Sequence, residues 1–310
     1  MTHTCRVCQK ALECFYTCNE TFVQLFYCQS CFSVLATSNH SRDNETRACK
    51  YYQAVIEYVS KLKSTLPMQI LIYGVEEIPT ALATFDKAII TTCATELIEC
   101  EVVFDVVIVA PCVFDHVKDP IDWLRKFGNV CSFNGTVLLE NTPHPDIFCA
   151  VSNNMYFYST NGIIQLCQRA NMTLCDVIKY EGVHLYEIMK GPNKNVKCNV
   201  PEVLYEEMTR GVYDECHYKT YQWNCQLYKN TLQNILIYAK LKNVKIIGLR
   251  EHCHLFANMY DTLVDNVQQL QNVLSEQTYP FEYLLVWPCN ISIEHQKAFY
   301  ILNTKTLEVT

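Results

Sequence analysis

Glycine is scarce in this chain, at 8 residues of 310. A loop that wraps a phosphate or nucleotide with its backbone needs glycine, because a main chain pressed against a ligand has no room for a side chain. The scarcity therefore argues against a glycine-rich nucleotide loop. An excess of positive charge is also missing. The chain has 25 Lys and Arg against 32 Asp and Glu, a net charge of −7. That balance argues against a nucleic-acid partner, since phosphate backbones are gripped by basic patches. No apolar run reaches the roughly 20 residues of a membrane-spanning helix. The opening Met-Thr-His-Thr-Cys-Arg lacks the basic-then-apolar order of a secretory leader. The reading is an intracellular, cytoplasmic protein with reduced thiols and no membrane partner.

What the chain does have is apolar content and cysteine. Half of the residues are hydrophobic and 18% are charged, a globular composition long enough for two or three units. Among 19 cysteines, Cys5 and Cys8 form one CxxC pair and Cys28 and Cys31 a second. A CxxC turn can aim two sulfurs at one point, and two such turns supply the four thiolates that tetrahedral zinc prefers. Cys14 and Cys18 lie between the pairs and compete as ligands. A disulfide arrangement and four reduced thiols without metal remain the alternatives. Zinc held by Cys5, Cys8, Cys28 and Cys31 would be structural, since four thiolates leave no open position for substrate.

Beyond this module, which spans residues 1–40, the pattern becomes α/β. Phe22, Val23, Leu25, Phe26 and Tyr27 predict a short strand leading into the second CxxC turn. Val55, Ile56, Val59 and Leu62 fall at helical spacing. Short apolar runs at Gln69–Gly74, Lys87–Thr92, Phe104–Ala110 and Thr136–Glu140 predict buried strands, with a turn at Asn134-Gly135 before the last. Asp119-Pro120 opens a helix as N-cap and first-turn proline. A second helix over 159–170 is capped near Ser159 or Thr160, and one or two strands close the domain over 174–190. Residues 202–240 read as a tyrosine-rich helical segment with Leu227, Leu232, Ile235, Leu236 and Tyr238 in its core. Val244–Gly248 predicts a strand, 254–276 a helix and Tyr283–Trp287 another strand. The fold class is α/β, with a mostly parallel sheet in residues 41–192 and a smaller α/β domain over 193–310. Ligands in such sheets sit beyond the carboxyl ends of the strands, which places the crevice at 74–77, 91–93 and 110–116. Trp123 and the tyrosines at 51, 52, 156 and 158 read as packing. Asp105 reads as a cap that orients a strand end.

The run Phe104-Asp-Val-Val-Ile-Val-Ala, then Asp115-His116, Asp119-Pro and Gly135-Thr-Val-Leu-Leu-Glu, resembles class I S-adenosylmethionine-dependent methyltransferases. The order of parts is similar to the zinc-containing sugar C-methyltransferases: a CxxC…CxxC module, a Rossmann-like domain, and a C-terminal α/β domain with a late Trp287-Pro-Cys-Asn290 stretch. The resemblance implies structural zinc, S-adenosylmethionine held near Gly74, Glu76, Thr92 and Ala110, and a nucleotide-linked deoxysugar as substrate. It places His116, in the loop after the fourth strand, as the candidate for proton transfer, with His144 and His184 at the same crevice. The chain departs from the family pattern in two places. Gly74 is one glycine where the cofactor loop has three, followed by Val75, Glu76 and Glu77. Asn153 and Asn154 stand where the family has its Glu-His pair, and an amide is no usable base near neutral pH. Two functions follow: an active C-methyltransferase, or an inactive methyltransferase-fold scaffold that binds a protein partner.

Overall fold

The computed structural model describes residues 3–18, 23–37, 45–62, 67–83, 88–94, 102–141, 155–180, 183–190, 198–249, 254–276, 283–287 and 299–303, with 307 and 309. The chain forms two compact units, Met1–Tyr221 and Gln222–Thr310.

The first unit begins with an antiparallel meander of β1 (Glu13–Cys18), β2 (Val23–Tyr27) and β3 (Val34–Thr37). Helix α1 (Glu45–Lys61) follows and leads into β4 (Met68–Tyr73), β5 (Ala88–Cys93) and β6 (Phe104–Val109). A single turn, α2 (Val113–His116), precedes α3 (Pro120–Val130) and the long β7 (Cys131–Glu140). Asp119 caps α3 by accepting from the Asp122 amide at 3.0 Å, with Pro120 in the first turn, as the sequence predicts. Next come β8 (Met155–Phe157), α4 (Thr160–Arg169), β9 (Met172–Tyr180) and β10 (Val183–Lys190). Ser159 caps α4 through the Gly162 amide.

Six strands make the central sheet, in the order β5-β4-β6-β7-β10-β9. The first four are parallel, while β10 runs antiparallel to both β7 and β9. From β4 the chain goes outward to β5 and then returns to the other side of β4 for β6. That reversal opens a crevice at the carboxyl ends of β4 and β6. Residues alternate faces along β4. Leu71 and Tyr73 join Phe127, Val107 and Leu166, against α3 and α4, while Ile70 and Ile72 join Tyr51, Val55 and Ile108, against α1. Both faces are thus covered, which is why these strands read as unbroken apolar runs.

Several expectations need correcting. Asn134-Gly135 lies inside β7, not at a turn before it. The register against β6 shifts there, and a Cβ on Gly135 would meet the Phe104 carbonyl oxygen at 2.8 Å, so the bulge needs glycine. The segment 202–240 is two helices, α5 (Val200–Thr209) and α6 (Glu215–Leu241). Leu232 and Leu236 are buried in the core, but Leu227 and Tyr238 are exposed.

The second unit carries an all-parallel sheet, β12-β11-β13-β14, of β11 (Lys245–Leu249), β12 (Thr262–Val264), β13 (Tyr283–Trp287) and β14 (Phe299–Asn303). The helix expected over 254–276 is instead a short 3-10 turn, then β12, then α7 (Val267–Glu276). Among the described residues, no helix is long and apolar enough to cross a membrane.

Candidate functional site

Two CxxC knuckles of one design build the N-terminal cage. In the first, the Cys5 amide donates to the Lys10 carbonyl and the Gln9 amide to the Cys5 carbonyl. In the second, the Cys28 amide donates to Ser33 and the Phe32 amide to Cys28. The residue after each closing cysteine, Gln9 (φ 65°) and Phe32 (φ 56°), is left-handed, which turns the chain sharply out of the knuckle. The four sulfurs lie within 4.8 Å of one another, with Cys5 and Cys31 3.5 Å apart and Cys8 and Cys28 3.3 Å apart. Disulfide sulfurs sit about 2 Å apart, so no bridge joins these thiols. A tetrahedron with metal–sulfur bonds of about 2.3 Å has edges of about 3.8 Å, which the cage brackets. The cage thus fits one tetrahedral ion in size and donor chemistry. Hydrogen bonds from Cys31 and Cys5 pull the Cys28 thiol well below its ordinary value, while those to Cys28 push Cys31 up to about 12. Cys14 is exposed and bonds the Tyr16 carbonyl, outside the cage.

Side chains from the α/β body grip this module by its backbone carbonyls. Tyr156 donates to Thr4, Ser159 to Cys31 and Arg169 to Val7. β8 adds a fourth strand to the meander beside β3. Arg6, between the two cysteines of the first knuckle, reaches the other way. Its guanidinium donates to the Val117 carbonyl at 2.7 Å and the Asp115 carbonyl at 3.4 Å, and lies 4.3 Å over the Tyr156 ring. The loop it holds is the one after β6, at the crevice.

At that crevice Gly74, Glu76, Thr92 and Ala110 all sit on the strand ends. The Gly74 amide donates to the Cys93 carbonyl at 2.7 Å, the Ala110 amide to Tyr73 at 2.8 Å, and the Thr92 hydroxyl to Glu76 at 3.1 Å. Gly74 has φ +91°, which favours glycine. A Cβ there would lie 2.7 Å from Val113 Cγ2 and 3.2 Å from Ala110 Cβ. The bare face of Gly74 is therefore covered by protein side chains, not turned to an open cradle. Glu76 and Glu77 are exposed beside it. On that side the strand tip offers no opening to a ligand.

His116 is exposed on the same loop. Partial burial and then the Arg6 charge lower its pKa. Burial also lowers the pKa of His184, on β10, whose carbonyl accepts from the Asn141 amide. His144, Glu96 and the Asn153-Asn154 pair lie outside the described residues. Asp105 is at the opposite end of β6, where it accepts from the Gln69 amide at 3.0 Å, the orienting cap the sequence suggests. Trp123 packs edge-on against Tyr73 and Phe127, and Tyr51, Tyr156 and Tyr158 are fully buried.

Sequence reasoning missed a set of buried polar groups at the carboxyl ends of β6 and β7. Asp115, Glu140 and Asn141 are each no more than 2% exposed. The Asn141 amide donates to the Tyr158 carbonyl at 2.7 Å. Burial raises the Tyr158 phenol well above its ordinary value, with Arg6 opposing and Asp115 reinforcing the shift. Glu140 acts in the same sense on Tyr51 and Tyr52, after burial itself. The available signal was an acid and an amide closing an apolar run, Leu138-Leu-Glu-Asn141.

No family model matches the chain, and no curated protein matches it. Solved structures overlap with part of it. Mitomycin 7-O-methyltransferase MmcR is 10% identical with a TM-score of 0.38, covering 48% of this chain and 56% of its own. An O-methyltransferase of a trans-AT PKS multienzyme from Brevibacillus brevis, in complex with S-adenosyl-L-homocysteine, is 10% identical with a TM-score of 0.37 and covers 54% and 85%. Glycopeptide N-methyltransferase MtfA, complexed with S-adenosyl-L-methionine, is 9% identical with a TM-score of 0.35 and covers 46% and 94%. The chain spans little more than half the length of MmcR and of LaPhzM, of which it covers 57%. Strand order and direction, not these partial overlaps, carry the fold. It is a Rossmann-like, mostly parallel α/β sheet, preceded by a four-cysteine module.

Proposed function

We propose that this protein is a methyltransferase-fold scaffold that binds a protein partner and no longer transfers methyl groups. The observation behind the reading is that the Cβ side of Gly74, the one glycine at this strand tip, is occupied by Val113 and Ala110. The single glycine and the amides at 153 and 154 agree with it. On this reading residues 1–40 hold one structural zinc through Cys5, Cys8, Cys28 and Cys31, and the α/β domains over 41–192 and 193–310 form the scaffold. Zinc supplies folding energy in such a cage and no Lewis-acid step.

A second reading, methyl transfer to a nucleotide-linked deoxysugar, is favoured by one feature. A scaffold has no evident need for Asp115, Glu140 and Asn141 buried at strand tips, where burial is costly for carboxylates. Calorimetry on the full-length, zinc-loaded protein separates the two. The scaffold reading expects no heat with S-adenosylmethionine or S-adenosylhomocysteine at millimolar ligand. Micromolar binding refutes it and supports methyl transfer. Elemental analysis should give about one zinc per chain, and a Cys5→Ser/Cys8→Ser variant that retains the metal would exclude this ligand set.

A further inference from the structure

Helix α6 has two apolar faces, and among the described residues of the second unit packing covers only one. Over residues 222–241 the inner face carries Cys225, Leu232, Leu236 and Ala239, all buried. The opposite face carries Trp223, Leu227, Ile237, Tyr238 and Leu241, which are 66%, 50%, 41%, 63% and 76% exposed. Asn230 and Asn234, also exposed, sit among them. At 3.6 residues per turn, positions 223, 227, 230, 234, 237 and 241 stay within a narrow stripe. Their three- and four-residue steps are the spacing of a helix–helix seam. The stripe is about 27 Å long at 1.5 Å per residue. All of it belongs to the second unit.

The order of residues along the stripe says what covers it. Read from either end, it runs large apolar, apolar, asparagine. An antiparallel copy centred at the level of Leu232 sets Trp223 opposite the partner's Leu241, Leu227 opposite the partner's Ile237, and Asn230 opposite the partner's Asn234. Each pairing recurs with the roles exchanged, which is the condition for a closed two-fold interface. At the centre, the asparagine amides can donate to and accept from one another, and a polar pair in a seam fixes register. Antiparallel helices also place opposite dipole ends together. A groove of about 890 Å³ flanks the stripe, lined by Asn234, Ile235, Tyr238, Leu284, Tyr300 and Val309. It extends the apolar surface that a second copy would cover.

We propose that the outer face of α6 is a homodimer seam, with two copies of the helix packed antiparallel about a two-fold axis that crosses the outer face between Asn230 and Asn234. The proposal does not depend on whether the protein transfers methyl groups. Sedimentation equilibrium on the full chain, from about 1 to 100 µM, tests it. The wild type should give twice the 36.0 kDa chain mass. Trp223→Glu and Leu241→Lys should each weaken the dimer at least about thirty-fold, because each sets an unpaired charge against an apolar side chain at both ends of the seam. Both side chains are exposed in the single chain, so circular dichroism should be unchanged, and melting should fall only by the lost contribution of the dimer. The double variant Trp223→Glu/Leu241→Lys should dimerise again, because only the antiparallel register brings the new acid against the new base. A wild type that stays monomeric at about 100 µM leaves the stripe to a different protein and overturns the proposal. A dimer that both single variants leave intact places the contact elsewhere, and a double variant no better than the single ones removes the antiparallel register.

Discussion

Replacing Arg6 by alanine should loosen the loop at the strand tips without emptying the cysteine cage. Arg6 is a neighbour of the cage, not a ligand. Its guanidinium bridges the first knuckle to the Val117 and Asp115 carbonyls and stacks 4.3 Å over Tyr156. A charged hydrogen bond of this kind is worth about 1.5–3 kcal/mol, and a partly buried cation–π contact about 0.5–2 kcal/mol. The Asp115 contact is long and adds little. Since the two contributions share one side chain, Arg6→Ala should cost about 2–4 kcal/mol rather than their full sum. Urea unfolding of the zinc-loaded protein measures this. Hydrogen exchange should show faster exchange at 115–118, and metal content should be unchanged. Arg6→Lys keeps the charge but loses the planar fork, and should recover about half. A loss under about 0.5 kcal/mol with unaltered exchange at 115–118 would show that the knuckle does not brace this loop.

Gly74→Ala should destabilise by about 2–4 kcal/mol, from a left-handed backbone (φ +91°) and a contact of 2.7 Å with Val113 Cγ2. Adding Val113→Ala should relieve the contact but not the backbone cost; full recovery in a denaturant titration would contradict the φ argument. Glu207 should give stability an unusual pH slope. Its carboxylate accepts from the Thr160 amide and hydroxyl and from Tyr213, yet burial raises its pKa above the ordinary value. The folded state therefore holds the proton longer than the unfolded chain, and stability falls as pH rises from about 4.5 through the folded pKa. Subtracting the Glu207→Gln curve from the wild-type curve isolates this contribution from Glu206, whose pKa the Lys179 hydrogen bond lowers. A difference that rises with pH in that window would refute the sign.

Local signals in the sequence located the elements well where they were strong. Strands β4 and β6 were legible as apolar runs because both of their faces are covered, and α3 was legible from Asp119-Pro120. Signals were lost where two segments far apart in the chain decide the outcome. Nothing in Met155–Phe157 announces that it pairs with Val34–Ala36. Asn134-Gly135 reads as a turn because a bulge uses the same residues. Helical spacing places Leu227 and Tyr238 in the core, because it finds apolar residues without saying which of two faces the chain covers. At the candidate site, the cysteines were legible by spacing, whereas Asp115, Glu140 and Asn141 acquire meaning only once strand ends are brought together.

By itself the sequence determined the alternation of strands and helices, the four sulfurs and the shortage of glycine, because each depends on residue types within a few positions of one another. Tertiary structure alone decided that Arg6 reaches the loop after β6, that Val113 covers Gly74, and that one face of α6 is left open. Those outcomes depend on which distant surfaces meet, and burial and hydrogen-bond geometry are properties of the meeting rather than of either segment.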